Sequence, residues 1–281
     1  MGKLVFCVTR DTKLDDFLRN DAGVSKRMIS RLKRTENGIT RDGRLVRTID
    51  NVYRGEKIVL SFEDTKILEP NGNLDVEIAF ENENLIVFDK PVGMPVHPSI
   101  KHQGDTLGNF FAYKYPDLTF RPVNRLDRDT SGLCIVAKNA FSAAALQNDI
   151  QKVYYAAVTG NVKGEGTVDA PIAREQESII KRVVREDGQR AVTHYKVLIS
   201  GEKYSLLEVN LETGRTHQIR VHFSYIGHPL AGDDLYGGNR EDIEYQALHC
   251  GSLEFKEPVT GELITVKSDI RADMKRLFEK V

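Results

Sequence analysis

Hydrophobic positions near the start of the chain recur at helical spacing before they begin to alternate. Leu14, Phe17 and Leu18 share one helical face, and Met28, Ile29 and Leu32 repeat the pattern. Ser25 precedes the second set as an N-cap. Asn37-Gly38 stops that helix, Asp42-Gly43 reads as a tight hairpin turn between short strands, and Gly55–Leu60 closes the unit as a strand. Residues 65–75, which include Pro70 and Gly72, read as a linker. Beyond it, strand-like runs dominate, at 76–80, 84–88, 133–137, 154–158, 179–184, 192–198 and 206–211. Helical patterns interrupt them at 105–114, 140–150 and 216–226. Strands outnumber helices and do not alternate strictly with them. The expected fold class is therefore α+β. A larger domain, residues 71–281, has a central, largely antiparallel mixed β-sheet flanked by helices and loops, and a small α+β domain with its linker occupies residues 1–70.

Length and composition agree with that division. The chain has 281 residues, 40% hydrophobic and 29% charged, enough for one large domain and a small one. No stretch approaches the roughly 18 consecutive apolar residues of a membrane span. The apolar part of Met1–Cys7 is too short for a signal peptide. Cys7, Cys134 and Cys250 form an odd set without paired spacing, which fits a reducing compartment and places the protein in the cytoplasm.

Charge changes the picture more than composition does. Between Arg19 and Arg47, nine basic residues face three acidic ones, a local charge of +6; the rest of the chain has 31 basic and 38 acidic residues, −7. Lys26, Arg27, Arg31, Lys33 and Arg34 cluster on and just after the second helix, where cations meet phosphates with little demand for sequence. Such segregation points to a polyanion as the partner of the small domain, although a solvated basic face has the same composition.

Candidate chemistry sits in three runs. The first, Asn124-Arg125-Leu126-Asp127-Arg128-Asp129-Thr130-Ser131-Gly132, is polar, rich in turn formers and leans on the apolar strand that begins at Leu133, a suitable platform for a reactive side chain. It also reads as a turn in which Asp127 and Asp129 cap their own backbone and Arg125 and Arg128 are surface partners. In the second, Leu211–His222, the turn at Gly214-Arg215 leads into a helix with Ile219, Phe223 and Ile226 on its apolar side. Arg220 falls beside that face and calls for a carboxylate partner, since an unpaired buried charge is costly. His217, His222 and His228 lack the helical pair with an intervening Glu and are joined by no cysteine, so no metal is expected. In the third run, Lys152–Gly160, Tyr154 and Tyr155 face opposite sides of a strand, and at most one reaches any given site.

Taken in order, these runs carry a resemblance. Asp89-Lys90-Pro91, Arg125-Leu126-Asp127 with Thr130-Ser131-Gly132, Lys152-x-Tyr154, Gly214-Arg215-Thr216-His217-Gln218-Ile219-Arg220 and Ala247-Leu248-His249 stand as in RluA-type pseudouridine synthases. The likeness runs from about residue 76 to about residue 270. The small domain resembles S-four-like RNA-binding domains, which often precede this family's catalytic domain. The resemblance implies an isomerase that converts uridine in RNA to pseudouridine without a cofactor. It makes Asp127 the essential carboxylate, Tyr154 the ring that stacks on the target base and takes its proton, and Arg220 the partner of Asp127. Arg125 would lie near a nucleotide flipped out of its stack. One departure stands out: a His is usual two positions before Leu126, and Asn124 cannot titrate.

The implied reaction breaks the bond from ribose C1′ to the uracil nitrogen, turns the base and rejoins it through C5. A carboxylate serves this either by attacking C1′ or by removing a sugar proton to give a glycal, and the residues do not choose between the two. Structured RNA, large-subunit ribosomal RNA foremost, is the expected substrate, with transfer RNA and small-subunit RNA as alternatives. No membrane and no obligatory protein partner is implied, and the working form is a monomer. Two readings compete with this one: a catalytically silent RNA-binding assembly factor, and a glycoside hydrolase, for which Asp129 is the sole nearby second carboxylate.

Overall fold

The computed structural model describes residues 2–24, 26–62, 68–147, 149–176 and 180–279. The chain divides into two compact units, Met1–Ile67 and Leu68–Val281. In the first, the elements run β1 (Gly2–Cys7), β2 (Thr12–Lys13), α1 (Leu14–Asp16), α2 (Lys26–Leu32), β3 (Ile39–Arg41), β4 (Arg44–Leu45), β5 (Asn51–Val52) and β6 (Lys57–Phe62). A four-stranded sheet has the order β1-β6-β3-β4. Leu14, Phe17, Leu18, Ile29, Leu32, Ile58 and Leu60 fill the core of this unit, so the helical spacing read from the sequence marks the buried face.

The first helix differs from expectation. It is α-helical only over Leu14–Asp16 and continues as a π-helix over Phe17–Asp21. The bond from Ala22 N–H to Phe17 O, 2.9 Å, widens the turn, and Gly23 at φ 64° ends it. Asp42 at φ 48° and Gly43 at φ 80° make the left-handed turn that joins β3 to β4. The proposed cap Ser25 and the side chain of Arg27 lie outside the described residues.

The second unit is built on β7 (Glu77–Glu81), β8 (Leu85–Lys90), α3 (Leu107–Lys114), β9 (Ser131–Ala137), α4 (Ala140–Ala145) and β10 (Ile150–Thr159). There follow β11 (Glu165–Asp169), β12 (Ile172–Arg174), β13 (Arg182–Val184), β14 (Val192–Ser200), β15 (Tyr204–Leu211), α5 (Gln218–Tyr225), β16 (Leu248–Lys256), β17 (Leu263–Lys267) and α6 (Ala272–Arg276). One sheet has the order β11-β14-β15-β10-β16-β9-β8-β7, with β17 also on β16. Every pairing in it is antiparallel except β9 with β16. The fold is thus α+β with a large mixed sheet and few helices, as the pattern predicts. The strand expected at 179–184 is observed only as β13, and Ile179 lies outside the described residues. The helix expected over 140–150 stops at Ala145, because Ile150 is drawn into β10 opposite Phe255.

The parallel pair is the pivot of the sheet. Gly132, at φ 103°, lies so close to β16 that a Cβ there would stand 2.3 Å from the Cys250 carbonyl oxygen, which only glycine avoids. A buried polar chain braces the same point. Ser131 Oγ donates to His249 Nδ1 (2.9 Å), His249 Nε2 donates to Ser268 Oγ (3.0 Å), and Ser268 Oγ donates to Asp89. Burial, then the charge of Arg271, pushes the His249 imidazole down to about 4, in keeping with the neutral ring this chain requires. His249 is therefore a strut of the sheet.

Candidate active site

The loop that leads into β9 carries Asp127, and three side chains fix it. Asn124 is buried; its amide donates to Leu133 O (3.1 Å) and accepts from Ile135 N–H (2.7 Å), so both ends hold the loop to β9. Lys90, with none of its surface exposed, donates to the carbonyls of Pro91 and Met94 (2.8 Å each) and of Arg128 (3.0 Å). Burial pushes its amine down to about 7, while Cys134, Asp129 and Asp127 pull the other way. Gln246 donates to Thr130 Oγ1, and Thr130 N–H closes a turn on Asp127 O (3.1 Å). The reading of this run as a surface turn holds for half of it: Arg128 binds Asp129 through two 2.8 Å hydrogen bonds.

Opposite this loop stands α5. Its approach is tied down by Gln218, whose amide oxygen accepts from Thr213 Oγ1 (2.8 Å) and Arg215 N–H (3.0 Å) and whose nitrogen donates to Val192 O (2.9 Å). Two residues on, Arg220 is 8% exposed and spends every edge of its guanidinium on carboxylates. Nε and Nη2 donate to Asp233 at 2.7 and 2.9 Å, and Nη1 donates to Asp127 Oδ2 at 3.0 Å. The guanidinium also lies 4.9 Å from the ring centroid of Tyr236. Burial acts to lower the pKa of Arg220, but Asp233 and then Asp127 outweigh it and hold the group well above its ordinary value.

His217 precedes the helix with φ 58°, a left-handed conformation that a residue with a Cβ adopts at some cost. Its Nδ1 is 2.8 Å from the Tyr236 hydroxyl, which accepts the Arg182 N–H at 2.9 Å, and its Nε2 is 3.7 Å from Asp127 Oδ2. Burial pushes this imidazole below its ordinary value, against the pull of Asp127. A neutral ring with its proton on Nε2, facing the carboxylate, satisfies both neighbours. The other two histidines have separate duties: His222 reaches Thr193 Oγ1 and Ala170 O, and His228 reaches Thr159 O.

Tyr154, on β10 opposite Val209 and Cys250, lines the same cleft. Burial first, then Cys250 and Asp127, raises its phenol well above the ordinary value, so the hydroxyl keeps its proton. Tyr155 points the other way and packs over Gly251. Arg125, Asp127, Arg215, His217 and Arg220 line the cleft with Tyr154, over an apolar bed of Leu126, Leu211, Ile219 and Leu248. Arg125 is exposed and has no ion partner among the described residues.

The structure therefore brings Asp127, Tyr154, Arg220 and Arg125 into one cleft. Lys26, Arg31, Lys33 and Arg34 belong to the other unit, all exposed on or just after α2. Sequence reasoning missed Asp233, Lys90, Tyr236 and the placement of His217. Arg220 did call for a carboxylate, but Asp233 lies in the run Gly232-Asp233-Asp234, where nothing singles it out.

A loop carboxylate gripped by a buried arginine thus shares one cleft with a strand tyrosine at the face of a mixed sheet. A model of the RNA pseudouridylate synthase family matches residues 84–225, the stretch that holds all three residues. The chain is 38% identical over 274 residues to the uncharacterized RNA pseudouridine synthase YjbO of Bacillus subtilis, covering 92% of this chain and 96% of that one. It is 38% identical over 263 residues to ribosomal large subunit pseudouridine synthase D of Pseudomonas aeruginosa, covering 84% and 81%. Among solved structures, human RNA Pseudouridylate Synthase Domain Containing 1 matches with a TM-score of 0.59 and 27% identity over 72% of this chain and 86% of that one. The chain belongs to the RNA pseudouridylate synthase family, in its RluA-type branch, and is an isomerase that acts on uridine in RNA.

Proposed function

We propose that Asp127 is the carboxylate that acts on the ribose of the target uridine in large-subunit ribosomal RNA, and that Tyr154 and Arg220 serve it. One observation carries this reading: Arg220 Nη1 holds Asp127 Oδ2 at 3.0 Å in a cleft that Tyr154 also lines. Oδ2 is engaged by Arg220 and faced by His217, whereas Oδ1 has no partner among the described residues. Oδ1 is then the oxygen that meets C1′ or the sugar proton. Tyr154 stacks on the detached uracil while it turns. Because its phenol stays protonated, it moves the C5 proton by passing its own on, as a relay. Arg125, exposed at the rim, contacts the flipped nucleotide.

Residues 1–70 serve as an S-four-like RNA-binding domain with its linker, and 71–281 as the catalytic domain. Lys26, Arg27, Arg31, Lys33 and Arg34 supply the phosphate contacts. The ribosomal target rests on the name of the Pseudomonas relative and on this basic unit. Since Asp127, Tyr154 and Arg220 come from one chain, a monomer suffices for the chemistry. The cytoplasmic assignment rests on three free cysteines.

The test is a map of pseudouridine in total RNA from cells with and without the gene. The expected result is one or a few ribosomal positions that lose the modification and regain it with the wild-type gene but not with Asp127→Asn. Restoration by the Asn variant would overturn the role of Asp127, and loss confined to transfer RNA would overturn the ribosomal target.

A further inference from the structure

Beside the cleft lies a second cavity, of about 320 Å³, that the chemistry above leaves unused. The hairpin of β12 and β13 forms one side, and Arg215, which also lines the Asp127 cleft, forms part of the other. Arg174 and Arg182 are direct partners across the hairpin, and both line the cavity. This sets two guanidinium groups on neighbouring strands beside a third, that of Arg215, along one cavity. Arg174 and Arg215 have no carboxylate partner among the described residues. Among the described residues the acid in the lining is Asp187, which is already bonded to Arg185 (Nη2–Oδ2 3.1 Å, and through Nε).

The hairpin is firmly seated. Ile172 packs with Ala191, Val221 and Tyr236, so its base rests on α5, the helix that carries Arg220. Gly188 lies against it so closely that a Cβ would stand 2.6 Å from the Ile172 backbone. From β13 the Arg182 N–H donates to the Tyr236 hydroxyl, which contacts His217, which faces Asp127. A ligand gripped by the hairpin is thereby registered against the carboxylate through three links.

We infer that this cavity receives a backbone phosphate of the RNA substrate next to the uridine held at Asp127, with Arg174, Arg182 and Arg215 as its ligands. The inference rests on the proposed role of Asp127, for it takes the neighbouring cleft as the seat of the target nucleotide. It gives the enzyme a way to fix the RNA strand on the catalytic unit itself, apart from the basic helix of the first unit.

The test uses the full-length protein and total RNA from cells that lack the gene. Single-turnover modification is followed against enzyme concentration, and RNA binding is measured across a salt series, for wild type, Arg174→Gln and Arg174→Lys. Arg174→Gln is expected to raise the half-saturating concentration about tenfold and to reduce the slope of log affinity against log salt by about 1, with Arg174→Lys recovering most of the slope. An unchanged slope in a folded Arg174→Gln protein overturns the inference, and so does a loss confined to the rate at saturation. Repeating the salt series in Asp127→Asn separates the two readings. If that variant still modifies RNA, the role of Asp127 falls while the slope still reports on Arg174. If it is inactive but Arg174→Gln leaves the slope alone, only the phosphate site falls.

Discussion

The two units use the same side chain for opposite ends. In the first, Arg31 and Arg34 stand exposed with Lys26 and Lys33 on or just after a short helix, where their worth lies in number and sign. In the second, Arg220 is buried between Asp127 and Asp233, with every donor edge committed at 2.7–3.0 Å. A surface cation can be exchanged for another at little cost to fold. A buried one is part of a fixed assembly whose members cannot be removed singly. The composition of a segment is enough to suggest the first arrangement, whereas the second is visible only when partners far apart in sequence are brought together.

The contrast can be broken from either side. The largest effect is expected from Asp127→Asn, which should lower single-turnover pseudouridine formation more than about a thousandfold while RNA affinity stays within a few-fold. Retained turnover would show that another group does the work. Tyr154→Phe should cost about a hundredfold in turnover, because the ring still stacks but no relay remains; an unchanged rate would leave the hydroxyl without a role. Asp233→Asn removes one of the two carboxylates on Arg220. It should destabilise the catalytic unit by about 3–5 kcal/mol, or some 10 °C in melting temperature, and slow turnover as well. A melting temperature within a degree or two of wild type would mean that Arg220 does not depend on the buried pair.

Acid should strike the second unit selectively. His249 is held near 4 in the folded state against an ordinary value of 6.5. Between those values the unfolded chain binds the extra proton, so this contribution is complete above pH 6.5 and is lost as the pH falls to 4, by about 3 kcal/mol. Urea denaturation at pH 7 and pH 4.5 measures it, and His249→Gln should flatten the difference. The mildest change is Lys26→Gln with Arg31→Gln and Arg34→Gln. It should cut the salt slope of RNA binding by about 3 and weaken affinity, yet spare turnover once RNA is saturated. A full slope would show that these cations face away from the nucleic acid.

Much of this design can be read from the sequence, and the reasons for the remainder are physical. Runs such as Val192–Leu198 and Leu206–Leu211 are strands, as their composition predicts, although Leu198 ends exposed where a bulge shifts the register between Val197 and Ile199. The turn at Asp42-Gly43 is equally local. Helix ends are less legible: α4 stops five residues short of its pattern because β16 claims Ile150 as a strand partner. In the cleft, the motifs mark Asp127, Tyr154 and Arg220, but what supports them is non-local. Lys90 stands in a run that carries the family resemblance, and only the fold shows it buried and wired to the backbone of the Asp127 loop. Asp233 lies thirteen residues beyond Arg220 on a turn, outside any helical or strand period.

The pairing of one guanidinium with two carboxylates has a further consequence. Arg220 cancels only one of the charges it touches, so the trio formed with Asp127 and Asp233 is formally negative by itself, while the exposed cations Arg125 and Arg215 line the same cleft. Cleavage of a glycosidic bond develops cationic character at C1′ and the ring oxygen, whichever way the carboxylate then acts. The spare negative charge is complementary to that oxocarbenium-like state and not to the neutral ribose before it. On the role proposed for Asp127, Asp233, buried behind Arg220, would add to the discrimination between ground state and transition state as a fixed field, set in place when the chain folds.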